Sequence, residues 1–225
     1  MTSTEIEMKE PRKLTEKDMK RMQIPMRYWD MTASGIVAKV HAHGISPRPL
    51  VSVLKSYIDQ LDEMIGSGSG IMLYGNNGRG KTGAVVWLAM QIRRRGYTVL
   101  YLESAKLKQH KIEKTPFDAV TTLWERSMDV DVLVLDDFAK GVSDSKGFMQ
   151  ELVDELIRTR GAHLRSTLIS TNVEPAKMVK DDFLKKSTLA MMQETVAFFH
   201  VSGSDLRSKT RVELVSKLTG GADVS

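Results

Sequence analysis

The residues with the clearest chemical potential are eight consecutive ones, GNNGRGKT, which match the pattern G-x-x-x-x-G-K-[ST]. They are Gly75, Asn76, Asn77, Gly78, Arg79, Gly80, Lys81 and Thr82. Glycines allow backbone N–H groups and the N-terminus of a following helix to surround phosphate oxygens. The lysine of this pattern reaches the β- and γ-phosphates, and the hydroxyl of its last residue binds Mg²⁺. The pattern predicts a P-loop that binds ATP with Mg²⁺, in which Lys81 also assists catalysis.

Two carboxylates, Asp136 and Asp137, follow the apolar run VLVL, and Asn172 follows LIST, the end of the fourth predicted strand. Adjacent carboxylates at the end of a buried strand are costly unless a cation or solvent compensates them. We expect Asp136 to bind Mg²⁺, Asp137 to polarise the attacking water, and Asn172 to hold that water. The alternatives are that the carboxylates only cap a loop and that Asn172 is a turn residue. The functional interpretation predicts hydrolysis of ATP to ADP and phosphate.

Alternating strands and helices would position these motifs. Apolar patterns predict strands over residues 71–74, 98–103, 130–135, 167–171 and 196–201. They also predict helices over 82–95 and 148–160, the second with Phe148, Leu152, Val153 and Leu156 facing inward. This alternation indicates an α/β fold in which a parallel sheet carries helices on both faces.

The composition restricts the classes of protein that the chain can belong to. It has 225 residues, 41% hydrophobic and 27% charged, which suits one globular domain with short extensions. The absence of cysteine excludes disulfides, zinc thiolate sites and thiol nucleophiles. No apolar run approaches the roughly 18 residues of a membrane span, and the polar N-terminus does not look like a signal peptide. We expect a cytoplasmic protein without membrane contact, whose net charge of +5 is compatible with nucleic acid.

Two segments precede the P-loop. Residues 1–24 are rich in charge, and Thr15 with Asp18 predicts a capping box at the start of a short helix. This segment is interpreted either as a partner-binding arm or as a disordered tail. Residues 47–66 predict one amphipathic helix, because Val51, Leu54, Ile58, Leu61 and Ile65 recur at helical spacing. The resulting division is an arm at 1–24, a linker and helix at 25–66, a core at 67–207 and a tail at 208–225.

Five motifs in this order resemble one group of AAA+ ATPases, the DnaC/DnaI helicase loaders and IstB transposition helpers. They are IP-x-RY from Ile24, the GNNGRGKT loop, LVLDDF, LISTN, and SDLR ending at Arg207. The resemblance spans about residues 24–207. It implies a five-stranded sheet of order 5-1-4-3-2, assembly into rings or spirals, and single-stranded DNA in a central channel. It also implies that Arg207 touches the nucleotide.

The sequence departs from this group in two places. Residues 183–194 contain no arginine to reach the ATP of a neighbouring subunit, and Lys185 and Lys186 are the nearest cations. Lysine cannot reproduce the forked contact of arginine, so we expect slow turnover. The segment before Ile24 is also shorter than the helicase-grasping domain of bacterial loaders. Its length weakens the prediction, made from the resemblance, that the partner is a replicative helicase.

A basic segment after the second strand is the candidate DNA surface. Its members are Lys106, Lys108, Lys111, Lys114 and Phe117. Lysines pair with phosphates whatever the base sequence, and Phe117 could stack on a base. The alternative is a solvated helix with Phe117 in the core.

Three functions compete. The first is a helicase loader of a bacterial or phage-infected cell, which binds ATP and single-stranded DNA and delivers or remodels a replicative helicase. The second is a transposition helper that acts on duplex DNA. The third, a small-molecule kinase, is disfavoured because Asp136, Asp137 and Asn172 suit attack by water.

Overall fold

A parallel sheet organises the chain. The computed structural model describes residues 12–36, 48–113, 121–139 and 147–202. Within these ranges five strands pair in the order β2-β3-β4-β1-β5, all in parallel. The strands are β1 (Gly70–Tyr74), β2 (Val99–Glu103), β3 (Val132–Asp136), β4 (Ser166–Thr171) and β5 (Val196–His200). The predicted α/β fold and its strand order are confirmed.

Helices connect the strands and cover both faces of the sheet. They are α1 (Glu16–Arg21), α2 (Arg48–Asp59), α3 (Leu61–Gly66), α4 (Lys81–Arg94), α5 (Leu107–Ile112), α6 (Leu123–Asp129), α7 (Phe148–Ala162), α8 (Pro175–Lys180) and α9 (Lys186–Thr195), with 3₁₀ turns at Met26–Tyr28 and Ser104–Lys106. Among the described residues, no helix combines the length and apolar character that crossing a bilayer would require.

The two faces of the sheet bury different sets of side chains. Ile71 and Leu73 of β1 point to the core shared with α1 to α4, whereas Met72 points to the core shared with α5 to α9. This alternation is the period of a strand. Every residue of β3 is buried, as the apolar run before Asp136 requires. Since all strands are parallel, their carboxyl ends lie at one edge, where the loops after β1, β3 and β4 meet.

The segment before the sheet packs against the edge strand β2. The predicted capping box is confirmed: the Thr15 side chain accepts from the Asp18 backbone and the Asp18 side chain accepts from the Thr15 backbone. Met19, Met22 and Ile24 are buried in the core of the α4 face. The carbonyl oxygen of Met22 accepts a 2.8 Å hydrogen bond from the backbone N–H of Tyr101. Residues 12–24 therefore lie against the sheet.

Three sequence-based details are wrong. The helix predicted over 47–66 is divided into α2 and α3, because the backbone of Gln60 leaves helical geometry (φ −111°, ψ 26°). Phe148 was expected inward but is exposed at the first residue of α7, where it lies beside Lys108. The strand predicted from 130 begins at Val132, because the N–H of Val130 still bonds to Arg126 at the end of α6.

Candidate functional site

The predicted P-loop, residues 75–82, joins the carboxyl end of β1 to the N-terminus of α4. At two positions of the loop, the backbone conformation or a close neighbour favours glycine over residues with a side chain. Gly80 caps α4 in the left-handed region (φ 80°, ψ 8°). A Cβ atom on Gly75 would lie 2.5 Å from the carbonyl oxygen of Val201. The helix that follows the loop has 14 residues. Its N-terminus, which the loop borders, carries about half a positive charge.

Lys81 adds a cation to this loop. Its Nζ atom donates hydrogen bonds to the carbonyl oxygens of Gly75 (2.8 Å) and Asn76 (2.7 Å), and the residue is only 7% exposed. The side chain thus returns from the first turn of α4 to the end of β1. Asn76 and Asn77 are exposed on the same loop. The helix N-terminus and Lys81 together make the loop electropositive, as a phosphate site requires.

Three hydroxyl groups converge on the carboxylate of Asp136. The Thr82 hydroxyl donates to its Oδ1 atom at 2.7 Å, and the Ser170 hydroxyl donates to the same oxygen. The Tyr101 hydroxyl donates to Oδ2 at 2.6 Å. Asp136 is buried. The network joins α4, β2, β3 and β4 at the carboxyl edge of the sheet, and it brings together Thr82 and Asp136, the two predicted Mg²⁺ ligands.

Two tyrosines border this carboxylate. Burial raises the pKa of Tyr101, and the hydrogen bond to Asp136 raises it further, so the phenol remains a donor. Burial also raises the pKa of Tyr28, an effect that nearby Arg27 opposes and the charge of Asp136 reinforces. Tyr28 belongs to the IP-x-RY motif. The N-terminal segment therefore reaches the surroundings of the carboxylate.

Asp137 and Asn172 stand beside this network. Asp137 directly follows β3 and has a left-handed backbone (φ 49°), a conformation that Asp tolerates better than most residues. It is half-buried. Asn172 follows β4, and its Oδ1 atom is buried without a hydrogen-bond partner. An unpaired buried acceptor is costly, so Asn172 is suited to hold a polar ligand such as water.

Arg79 provides a second set of unpaired atoms in the P-loop. Its Nε and Nη1 atoms are buried without hydrogen-bond partners. Burying guanidinium donors unpaired is unfavourable, and an anion beside the loop would pair with them. These atoms fit a loop that binds phosphate.

The donor set at Asp136 and Thr82 fits Mg²⁺ that arrives with a nucleotide. Both supply hard oxygen atoms, which Mg²⁺ prefers, and they are in contact. No group of three or more His, Asp or Glu side chains in the described ranges could hold a metal by itself. Mg²⁺ is usually bound through one or two carboxylates together with substrate phosphates, so a single buried carboxylate beside the P-loop suffices.

The candidate DNA lysines occupy different environments. Lys106 is exposed beside Glu103 (3.2 Å), and Lys108 is exposed with its Nζ 5.4 Å from the ring centre of Phe148. Lys111 instead donates to both carboxylate oxygens of Glu155, at 2.7 and 3.0 Å.

The structure describes only some of the remaining residues named from the sequence. Lys114, Phe117 and Arg207 lie outside the described residues. Lys185 donates to Glu151 (2.7 Å) and Asp154 (3.4 Å), whereas Lys186 is exposed.

Sequence reasoning missed two members of the network, Tyr101 and Ser170, and the neighbouring Tyr28. The available signal was weak. Tyr101 is a hydroxyl-bearing residue in an otherwise aliphatic stretch of β2, and Tyr28 and Ser170 each lie inside a recognised motif. Asp136, the acceptor that Tyr101 and Ser170 share, becomes visible only when the strands are assembled.

Comparisons with known proteins agree with this geometry. The family model described as "IstB-like ATP binding protein" matches residues 6–213. No curated protein matches the sequence. Among solved structures, the DnaC helicase loader is 19% identical, with a TM-score of 0.58, over 79% of this chain and 100% of that one. A putative primosome component from Streptococcus pyogenes is 20% identical, with a TM-score of 0.53, over 81% of this chain and 88% of that one.

The initiator DnaA from Aquifex aeolicus, bound to AMPPCP, is 19% identical with a TM-score of 0.53. The match covers 80% of this chain and 53% of DnaA, so the chain corresponds to about half of that protein. At these identities the structures establish a shared fold, and the family match over most of the chain establishes kinship. This protein belongs to the IstB-like ATP-binding family.

Proposed function

We propose that this protein is an ATP-hydrolysing replication accessory factor of the helicase-loader type. It binds ATP with Mg²⁺ and single-stranded DNA, and it delivers or remodels a replicative helicase. The observation that carries the enzymatic part is the contact between Thr82 of the P-loop helix and Asp136 of β3. A P-loop hydroxyl and a buried strand-end carboxylate in contact are the pair that Mg²⁺–ATP chemistry uses.

Each residue of the site has a distinct role in this proposal. Lys81 and the P-loop amides bind the phosphates, and Arg79 adds a cation to them. Thr82 and Asp136 hold Mg²⁺, which offsets phosphate charge when bound. Asp137 accepts a proton from the attacking water, and the Asn172 amide orients that water. Arg207, from the family resemblance, contacts the nucleotide.

Binding of single-stranded DNA is proposed from fold and charge. DnaA, which shares the fold, is known in a complex with AMPPCP and single-stranded DNA. In this chain Lys106 and Lys108 are exposed next to the sheet edge that carries the site. The proposal also includes self-association into a ring or spiral, with ATP bound between subunits. The protein would act in the cytoplasm of a bacterial or phage-infected cell. The exposed Lys186 is the better candidate for a contact across subunits, because Lys185 is paired.

A transposition helper acting on duplex DNA is the second candidate. The observation in its favour is the matching family, whose description refers to IstB rather than to a helicase loader. The two functions differ in partner and in DNA preference.

The deciding experiment is a pull-down with the replicative helicase encoded in the same genome, with ATP, with ADP and without nucleotide. A helicase loader should capture the helicase in the ATP state, and Lys81→Ala should abolish capture. A parallel titration with single-stranded and duplex DNA of equal length should favour the single strand. No helicase complex in any state, combined with tighter duplex binding, would reject the loader and favour the transposition helper.

A further inference from the structure

The carboxylate of Asp136 has a partner that belongs to none of the recognised motifs. Tyr101 lies on β2, the edge strand, opposite Val134 of β3. Val134 lies two positions before Asp136 on β3, so the two side chains are on the same face of the sheet. Paired residues of neighbouring strands share a face, and the Tyr101 ring therefore also lies on this face, which α4 covers. The phenol donates a 2.6 Å hydrogen bond to Asp136 Oδ2, and Tyr101 is 3% exposed.

The hydrogen bonds divide the two carboxylate oxygens between two tasks. Oδ1 accepts from Thr82 and Ser170, on the side of the P-loop helix. Oδ2 accepts from Tyr101 on the opposite side. Rotation of the carboxyl group would break hydrogen bonds at both oxygens. The Tyr101 bond therefore keeps Oδ1 directed at the Thr82 hydroxyl.

The backbone of Tyr101 is itself held in place. Its N–H donates to the carbonyl oxygen of Met22 at 2.8 Å, and Met22 is buried. The N-terminal segment thus covers the open edge of β2 at the residue that carries the phenol. A buried donor with a fixed backbone loses little conformational entropy when it orients a ligand.

We propose that Tyr101 is a positioning residue for the Mg²⁺ site, which acts by orienting the carboxylate of Asp136. The role rests on the proposed Mg²⁺–ATP function. Outer-shell hydrogen bonds fix the orientation of metal-binding side chains, and their loss costs roughly 10- to 100-fold in metal affinity. The sequence gives only a weak signal of this role, because Tyr101 lies 35 residues from Asp136 and outside every recognised motif.

The test uses Tyr101→Phe in the full chain, with Tyr57→Phe as the matched control. Tyr57 is 2% exposed, and its hydroxyl donates a 2.7 Å hydrogen bond to the carbonyl oxygen of Ser69. Ser69 precedes β1, so this bond lies at the other end of that strand from the P-loop. Both variants lose one buried phenol hydroxyl, and both are monitored by thermal unfolding.

The readout is equilibrium binding of a fluorescent ATP analogue while Mg²⁺ is titrated, with a second series in excess chelator. For Tyr101→Phe we expect the half-saturating Mg²⁺ concentration to rise about tenfold, within the range for outer-shell partners. Affinity in chelator should stay at the wild-type value. Tyr57→Phe should match the wild type in both series.

A double variant separates orientation of Asp136 from a general loss of folding. In an Asp136→Asn background, Tyr101→Phe should add no further change to the Mg²⁺ titration, because the carboxylate is already gone. A Tyr101→Phe titration that coincides with the wild type, or an equal loss of affinity with and without Mg²⁺, would overturn the role. A wild-type protein whose ATP binding ignores Mg²⁺ would instead overturn the proposed function, and this role with it.

Discussion

The Thr82 hydroxyl donates a 2.7 Å hydrogen bond to Asp136 Oδ1, across 54 residues of sequence. Strand β4 lies between β1 and β3, and its Ser170 donates to the same oxygen. Three neighbouring strands of the sheet, β3, β4 and β1, therefore determine where the P-loop helix meets the carboxylate. The contact is made by the two protein groups that would hold Mg²⁺ in the proposed nucleotide complex.

We expect Asp136→Asn to remove the Mg²⁺ dependence of ATP affinity. The amide keeps the volume and one acceptor, but it loses the charge that attracts a divalent cation. Affinity in the presence of Mg²⁺ should fall at least about tenfold, whereas affinity in chelator should be unchanged. The measurement is a nucleotide titration in both conditions. Asp131→Asn is the control, because Asp131 precedes the other end of β3 and binds Thr98. A variant that retains the Mg²⁺ effect would contradict the assignment.

Substitutions at Lys81 and Asp137 should affect ATP binding and ATP hydrolysis differently. Lys81→Ala removes the buried lysine of the P-loop and should reduce ATP affinity. Asp137→Asn should keep that affinity and lower kcat by about a hundredfold or more, the contribution of a positioned base. Steady-state hydrolysis and equilibrium binding on the same preparations distinguish the two effects. Unchanged turnover in Asp137→Asn would remove Asp137 as the base.

The sequence was sufficient for the features that depend on local periodicity. Apolar runs located all five described strands, and the P-loop and strand-end motifs located Thr82 and Asp136. Local patterns do not specify which distant side chains meet. For this reason Tyr101 was missed, and the ion pair of Lys111 with Glu155, 44 residues away, was not foreseen. Phe148 was assigned inward because periodicity does not say where the first turn of a helix emerges from the core.

The candidate DNA lysines should contribute unequally. Lys108 is exposed, whereas Lys111 is paired with Glu155 and lies 4.5 Å from the ring centre of Trp124. A lysine must give up such partners before it can bind a phosphate. We expect Lys108→Ala to weaken single-strand binding and to reduce its salt dependence by about 0.7 in log–log slope. Lys111→Ala should change DNA affinity much less.

Glu155→Gln provides the matched test of this difference. It removes the carboxylate that occupies Lys111 and should strengthen DNA binding, while Lys111→Ala in that background should reverse the gain. Fluorescence anisotropy with a labelled oligonucleotide over a salt series measures both. Equal affinity of Lys108→Ala and wild type at every salt concentration would exclude Lys108 from the DNA surface.

Asp18 should make stability depend on pH in the acidic range. The guanidinium of Arg12 lowers the pKa of Asp18, with further hydrogen bonds from Thr15 and Arg93, although burial opposes them. Because the folded pKa is depressed, this stabilisation is complete above the unfolded pKa of about 4 and is lost as pH falls below it. We expect Asp18→Asn to lower the free energy of unfolding by about 2 kcal/mol near neutral pH.

Urea unfolding at several pH values checks this expectation. The difference between wild type and Asp18→Asn should be constant above about pH 5 and should shrink below about pH 4. Glu16→Gln is the control, since Glu16 pairs with Lys20 on the exposed side of the same helix. A difference that does not change with pH would contradict the role of the Asp18 charge.

Arg160 should be the residue of α7 on which stability depends most strongly. It is 1% exposed, and its guanidinium donates to the Thr167 hydroxyl and to the carbonyl oxygens of Ser127, Val130, Asp131 and Ser166. Burial lowers the pKa of Arg160, which reflects the cost of a charge among neutral groups. The hydrogen bonds offset this cost and join the end of α6 to the starts of β3 and β4.

Arg160→Met should therefore lower the free energy of unfolding by about 3 kcal/mol or more, because buried carbonyl groups lose their donors. Arg160→Lys should lose nearly as much, since an ammonium cannot span the same acceptors as a planar fork. Arg158→Ala is the control, because its exposed pairing with Asp154 contributes at most about 1 kcal/mol. Since these acceptors lie at the opposite end of the strands from the P-loop, ATP affinity of the folded variants should match the wild type. Near-native stability of Arg160→Lys would show that charge alone, and not the forked geometry, is required.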